Sequence, residues 1–232
     1  ITPVLPKTGY LRIHKASSDS TLTDGNSCYN FTNITYKIYS DSSCTTEVQT
    51  LYLDQDGYSQ PVELTEGTYY IKETDAVNSG YALDTNVYTV TVTAGTTFDA
   101  PQTWSTKDAP LNDPLGIAIN KINSDGTTAA DLSGAEYTIT YYPKQYTSVA
   151  EIEADTDPDV KPTVWVIQTL KAENGNYQAV LDDAHIVPNS NSAGAVFGKT
   201  HVGNYIIPLG TITVEETKAP AGFTKDGAIV SS

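Results

Sequence analysis

The feature that most constrains this chain is a repeat in which charged residues fall on apolar strand faces. Gly9-Tyr10-Leu11-Arg12-Ile13-His14-Lys15 alternates, so Leu11, Ile13 and Lys15 share one face of a strand. Leu115, Ile117, Ile119 and Lys121 repeat that parity, and Asn123-Ser124-Asp125-Gly126 follows as a turn. Later in each stretch a second pattern recurs: Gly67-Thr68, a strand, Glu73-Thr74, then Gly80-Tyr81; and Gly210-Thr211, a strand, Glu216-Thr217, then Gly222-Phe223. Glu73 has the parity of Tyr69 and Ile71, and Glu216 that of Ile212 and Val214, so each copy aims one glutamate inward.

The repeat divides the chain. Lys15 to Glu73 spans 58 positions and Lys121 to Glu216 spans 95, so the second unit holds the additional residues. The acidic, proline-containing run from Ser148 to Pro162, with a short helix at Val149 to Ala154, and the small polar run from Asn189 to Lys199 are the predicted surface excursions. The remainder reads as short strands between turns such as Asp24-Gly25, Asp56-Gly57 and Asn174-Gly175. The expected architecture is all-β: two tandem immunoglobulin-like β-sandwiches, residues 1-110 and 111-232, joined near Ala109-Pro110-Leu111-Asn112-Asp113-Pro114. Val87 to Val92 and Thr103 to Asp108 complete the first unit. Nine residues after Gly222-Phe223 are too few for the same two strands, so the second unit is expected to lack its last strands within a fragment of a longer repetitive protein.

A lysine facing a glutamate in a dry core is costly unless the charges are paired or removed. The plain reading is a structural ion pair, or a lysine at a strand end whose head reaches solvent. Recurrence in the same places favours a specific purpose. Desolvation favours a neutral, nucleophilic amine and a protonated acid, and such an acid can polarise a neighbouring carboxyl or carboxamide and shuttle protons as the amine attacks it. The product would be an intramolecular amide linking distant strands, which restricts the unfolded chain as a disulfide does.

These residues carry a resemblance. The lysine-bearing strand, the Glu-Thr followed by Gly-aromatic, and above all Glu216-Thr217-Lys218-Ala219-Pro220-Ala221-Gly222-Phe223 resemble the Cna B-type (SpaA-like, prealbumin-like) domains of Gram-positive pilins and surface adhesins. The first unit departs from the pattern, reading Glu73-Thr74-Asp75-Ala76-Val77-Asn78-Ser79-Gly80-Tyr81 without proline. The resemblance implies self-formed Lys-Asn or Lys-Asp isopeptide bonds assisted by glutamate: Lys15 with Glu73, and Lys121 with Glu216. It places the acceptor at the end of the last strand, where Asp108-Ala109-Pro110 stands, and Trp104, Thr106 and Asp108 share a face whose natural core member is tryptophan. Asn112 and then Asp99 are the alternatives, and the acceptor for Lys121 is expected beyond Ser232. The resemblance also implies a cell-surface, wall-anchored setting, with neighbouring domains of a longer chain as partners. It implies no cofactor, and no catalysis beyond a single self-cross-linking.

Other signals narrow the reading. With 28 acidic against 13 basic residues and a net charge of -15, the chain has no basic face for nucleic acid. No apolar run is long enough to span a membrane as a helix. His14, His185 and His201 lack ligand spacing, so no metal is expected. Cys28 and Cys44 are expected to form a disulfide in an oxidising setting, with two separate thiols as the alternative. Leu5-Pro6-Lys7-Thr8-Gly9 matches a sortase sorting pentapeptide but runs straight into a strand, which makes coincidence the better account. A second functional class is a ligand-binding adhesin module that contacts host glycan or matrix protein through the second-unit insertion, including Trp165 and Tyr141 to Tyr146. A hydrolase would need two carboxylates at a defined cleft, which the sequence does not display.

Overall fold

A computed structural model of the chain describes residues 5–123, 125, 126, 130–190, 192, 197–225 and 229–231. Two compact units emerge: residues 1–23 with 28–111, and residues 24–27 with 112–232.

In the first unit the chain runs β1 (Thr8–Ser17), a single helical turn α1 (Ser20–Thr23), β2 (Thr35–Tyr39), β3 (Glu47–Tyr52), β4 (Val62–Thr65), β5 (Gly67–Asp75), β6 (Val87–Val92) and β7 (Gln102–Asp108). Two sheets result, in the orders β4-β1-β7 and β3-β2-β5-β6. Strand β7 lies parallel to β1, with Lys15 opposite Thr106 and Ser17 opposite Asp108, and every other strand pair in the unit is antiparallel. Alternation in β1 buries Leu11, Ile13 and Lys15 completely. Around them close Ile34, Tyr36, Ile38, Leu64, Ile71 and Val92, with Trp104 packed at the margin. Each fully buried Leu or Ile contributes about 1.5–3 kcal/mol, so the apolar core rather than the buried lysine holds the unit together.

The second unit runs β8 (Asn112–Leu115), β9 (Ala118–Lys121), β10 (Glu136–Tyr142), α2 (Val149–Ala154), β11 (Thr163–Gln168), β12 (Leu170–Lys171), β13 (Tyr177–Val180), β14 (Tyr205–Pro208), β15 (Thr211–Lys218) and β16 (Ile229–Ser231). Its largest sheet, β11-β10-β15-β16, repeats the order of β3-β2-β5-β6, and β13-β9 repeats β4-β1. The short helix stands where the sequence predicts, with Ser148 capping it through a bond from the Glu151 amide. Part of the polar run from Asn189 to Lys199 (191 and 193–196) lies outside the described residues.

Three expectations need correction. The run from Leu115 to Lys121 is not one strand: β8 pairs with β14, β9 pairs with β13, and Gly116 lies at the break between them. The second unit does not lack both closing strands, because β16 pairs antiparallel with β15, placing Ile229 opposite Glu215. Cys28 and Cys44 are thiols, one before β2 and the other in the loop after it, where Cys44 adopts a φ of 54°.

Candidate functional site

Strand geometry brings Lys15, Glu73 and Asp108 to one buried point of the first unit. Lys15 and Glu73 are inaccessible, 0% and 1% exposed, and Asp108 is 9% exposed. The Lys15 ammonium donates to Glu73 Oε2, donates to the Tyr36 hydroxyl at 3.1 Å, and lies 2.5 Å from Asp108 Oδ2. The contact with Asp108 lacks hydrogen-bond alignment, and Oδ2 has no other bonding partner. Glu73 is fixed from its other side, where Oε1 accepts from the Asp84 amide at 3.3 Å. One amine thus faces two carboxyl groups. A fully charged set would hold an unbalanced negative charge away from water, which is expensive.

Local structure explains each placement. Gly57, with a φ of 81°, passes so close to β1 that a Cβ there would lie 2.0 Å from the Lys15 carbonyl oxygen, and its own carbonyl accepts from the Lys15 amide at 2.9 Å. That approach pins β1 at the lysine. Glu73 is aimed by a β-bulge. Between Thr35 and Tyr36 the β2–β5 register slips so that Thr35 faces Asp75 while Tyr36 faces Glu73, leaving Thr74 as the extra residue. The Thr74 hydroxyl donates across the slip to the Thr35 carbonyl at 3.3 Å. Asp108 arrives on β7 because that strand runs parallel to β1 for seven registered pairs, from Leu11 with Gln102 to Ser17 with Asp108. The alternatives Asp99 and Asn112 are both exposed, unlike the buried Asp108.

The second unit rebuilds part of this arrangement. Lys121 Nζ donates to both oxygens of Glu216, at 2.8 and 2.7 Å. The same bulge recurs between Glu136 and Tyr137, placing Tyr137 opposite Glu216, and Thr217 donates to the Glu136 carbonyl at 3.4 Å. Among the described residues no second carboxylate lies within ion-pairing distance of Lys121. The lysine is 20% exposed and opens onto a cleft of about 650 Å³ lined by Ile122, Leu132, Phe223 and Lys225.

The sequence reading missed the tyrosines. Tyr36 is 1% exposed and its ring packs edge-on against Trp104, centroids 6.0 Å apart. Burial pushes its hydroxyl far above the ordinary tyrosine range, reinforced by the charge of Glu73 and a hydrogen bond with it. Tyr137 is pushed up to about 12 by burial and by the charge of Glu216. The available signal was positional: each tyrosine begins the inward parity of the strand that pairs with the glutamate strand. The chain's 16 tyrosines hid it.

Two residues offered as a ligand face are core instead. Trp165 and Tyr141 are 1% and 2% exposed and belong to the second hydrophobic cluster, so both rings are buried within the second unit. The pentapeptide at Leu5 to Gly9 is partly folded into β1: Thr8 pairs with Thr65, and Gly9 packs where a Cβ would meet the Thr93 carbonyl oxygen at 2.1 Å.

Residues 17–103 match the family model of the SpaA prealbumin-like fold domain. The first unit has that fold. No curated protein matches the chain in sequence. Among solved structures, the Bacillus anthracis TIE protein is similar over 97% of this chain and 31% of its own, with 18% identity and a TM-score of 0.54. The pilus adhesin SpaC from Lactobacillus rhamnosus GG is similar over 96% of this chain and 26% of its own, with 16% identity and a TM-score of 0.50. The chain therefore spans about a third or less of these structures, and the likeness concerns fold. No helix among the described residues is long and apolar enough to cross a membrane.

Proposed function

We propose that the chain is a structural segment of a Gram-positive surface pilin or adhesin whose first unit cross-links itself through Lys15 and Asp108. The observation that carries this reading is the contact of Lys15 Nζ with Asp108 Oδ2 at 2.5 Å, in a site shared with Glu73 and closed to water. The SpaA-type fold of residues 17–103 supports the surface setting, and the pilus adhesin among the similar structures agrees with it.

The chemistry balances without a cofactor. One ammonium proton moves to the Asp108 carboxyl, which frees a nitrogen lone pair to attack Cγ. The N–Cγ bond forms, Glu73 takes a second nitrogen proton and passes it to the same Asp108 oxygen, and that oxygen leaves as water. The third proton stays on the amide nitrogen. The C–O bond broken is replaced by the C–N bond made, two charges disappear from the core, and no group turns over, so the chain acts once on itself and is not an enzyme.

A bond between Lys15 and Asp108 closes most of the first unit into a loop and stabilises it by about 4 to 5 kcal/mol on the chain-entropy model. Intact mass spectrometry tests the proposal. The chain should weigh one water less than its residue sum, Glu73→Ala and Asp108→Ala should restore the full mass, and a full mass in the unaltered protein would overturn it.

A further inference from the structure

Tyr36 touches all three strands of the candidate site. It stands on β2, opposite Glu73 of β5; its hydroxyl accepts from Lys15 Nζ of β1 at 3.1 Å; its ring packs against Trp104 of β7, the strand that carries Asp108. Lys15 Nζ also lies 5.4 Å from the centroid of the Tyr36 ring. A lysine nitrogen has three tetrahedral directions beyond its carbon. In this site Glu73 takes one and the Tyr36 hydroxyl takes another, leaving one direction free while Asp108 Oδ2 lies 2.5 Å from the nitrogen. Without the phenol oxygen, the nitrogen could turn its remaining N–H toward either carboxylate and carry its lone pair off the line of attack.

We propose that the Tyr36 hydroxyl is a positioning group for the cross-link, which holds one N–H of Lys15 from the ammonium through to the product amide and so aims the lone pair at Asp108 Cγ. This rests on the Lys15–Asp108 reading above. Burial and the neighbouring Glu73 raise the pKa of the phenol and keep it protonated, so it donates to Glu73 while accepting from Lys15. The second unit supplies an independent sign that the place is specific: Tyr137 faces Glu216 across the same bulge and is 7% exposed, although the strands around it differ in sequence.

Cell-free synthesis of the full chain, quenched at timed intervals and read by intact mass, separates this role from packing. Tyr36→Phe keeps the ring against Trp104 and removes only the oxygen. It should fold and lose its water about tenfold or more slowly than the unaltered chain, as expected when a reacting atom is no longer held in line. Its rate should also depend on pH differently, because free amine must then be supplied by a nitrogen that is no longer oriented. Trp104→Phe loosens the packing of the tyrosine ring but keeps the hydroxyl, and should lose water at nearly the unaltered rate. Equal rates and equal pH profiles for Tyr36→Phe and the unaltered chain would overturn the role of Tyr36 while leaving the cross-link intact. A slower Trp104→Phe than Tyr36→Phe would overturn it in favour of packing. An unaltered chain of full mass would instead remove the cross-link on which the inference stands.

Discussion

Two of the lysine–aspartate contacts among the described residues are similar in length, yet their surroundings set opposite chemistry. Lys15 and Asp108 meet where both side chains are nearly inaccessible, whereas Lys144 and Asp155, 2.6 Å apart, have side chains 36% and 14% exposed. The Lys144 ammonium and the Tyr146 hydroxyl hold the Asp155 carboxyl well below the usual carboxylate range, so Asp155 stays an anion and a poor target for an amine. Asp155→Ala should accordingly leave the mass deficit unchanged, which intact mass measures directly. Gly57 is the residue with the opposite expectation. Alanine there meets the Lys15 carbonyl and must adopt a left-handed φ, so Gly57→Ala should destabilise the first unit by about 1–3 kcal/mol and slow water loss together, read by denaturant unfolding and timed mass spectra.

Among the elements, the Glu-Thr pair acts through a bulge. Regular pairing of β5 with β2 would keep the two strands in step; the slip at Thr74 lets Tyr36 and Glu73 face each other beside the lysine, and Thr217 does the same beside Lys121. Thr74→Val removes the hydroxyl that satisfies the Thr35 carbonyl and should reduce the cross-linked fraction at early times, read in the same timed mass spectra. The β2–β3 connection depends on a carboxylate. Asp41 accepts from the Ser43 hydroxyl and from the Thr46 and Thr45 amides, and those bonds hold its carboxyl well below the ordinary 3.8. A carboxyl depressed in the folded state stabilises it above the unfolded pKa and loses that contribution as the pH falls toward the folded one. Urea midpoints of the unaltered chain should therefore fall relative to Asp41→Asn as the solution is taken from pH 5 down through the ordinary 3.8; parallel curves would refute the role.

At the scale of the molecule, two units with similar sheets differ in one chemical respect. Lys15 has a carboxyl besides its glutamate and Lys121 has none among the described residues. The whole chain should show a deficit of one water rather than two, and Lys121→Ala should not alter it. Calorimetry should resolve two transitions, of which Glu73→Ala lowers only the first unit's, by about 20 °C if the cross-link contributes the 4 to 5 kcal/mol estimated from loop closure.

Parity along the chain was enough to identify the strand type, the inward lysines and glutamates, the helix at Val149–Ala154 and the face that carries Asp108, because side-chain alternation is a local property of extended backbone. The break between β8 and β9, the thiol state of Cys28 and Cys44, the burial of Trp165 and the part played by Tyr36 were not legible there. Each depends on which strands become neighbours and in what register, and that choice is made by contacts far apart in sequence. The sequence by itself determined that lysine and glutamate would both share the inward parity of their strands in each unit. Only the tertiary structure decided that in one unit a parallel last strand sets a second carboxyl against the amine, since the distance between residues 15 and 108 is a property of sheet order and not of spacing.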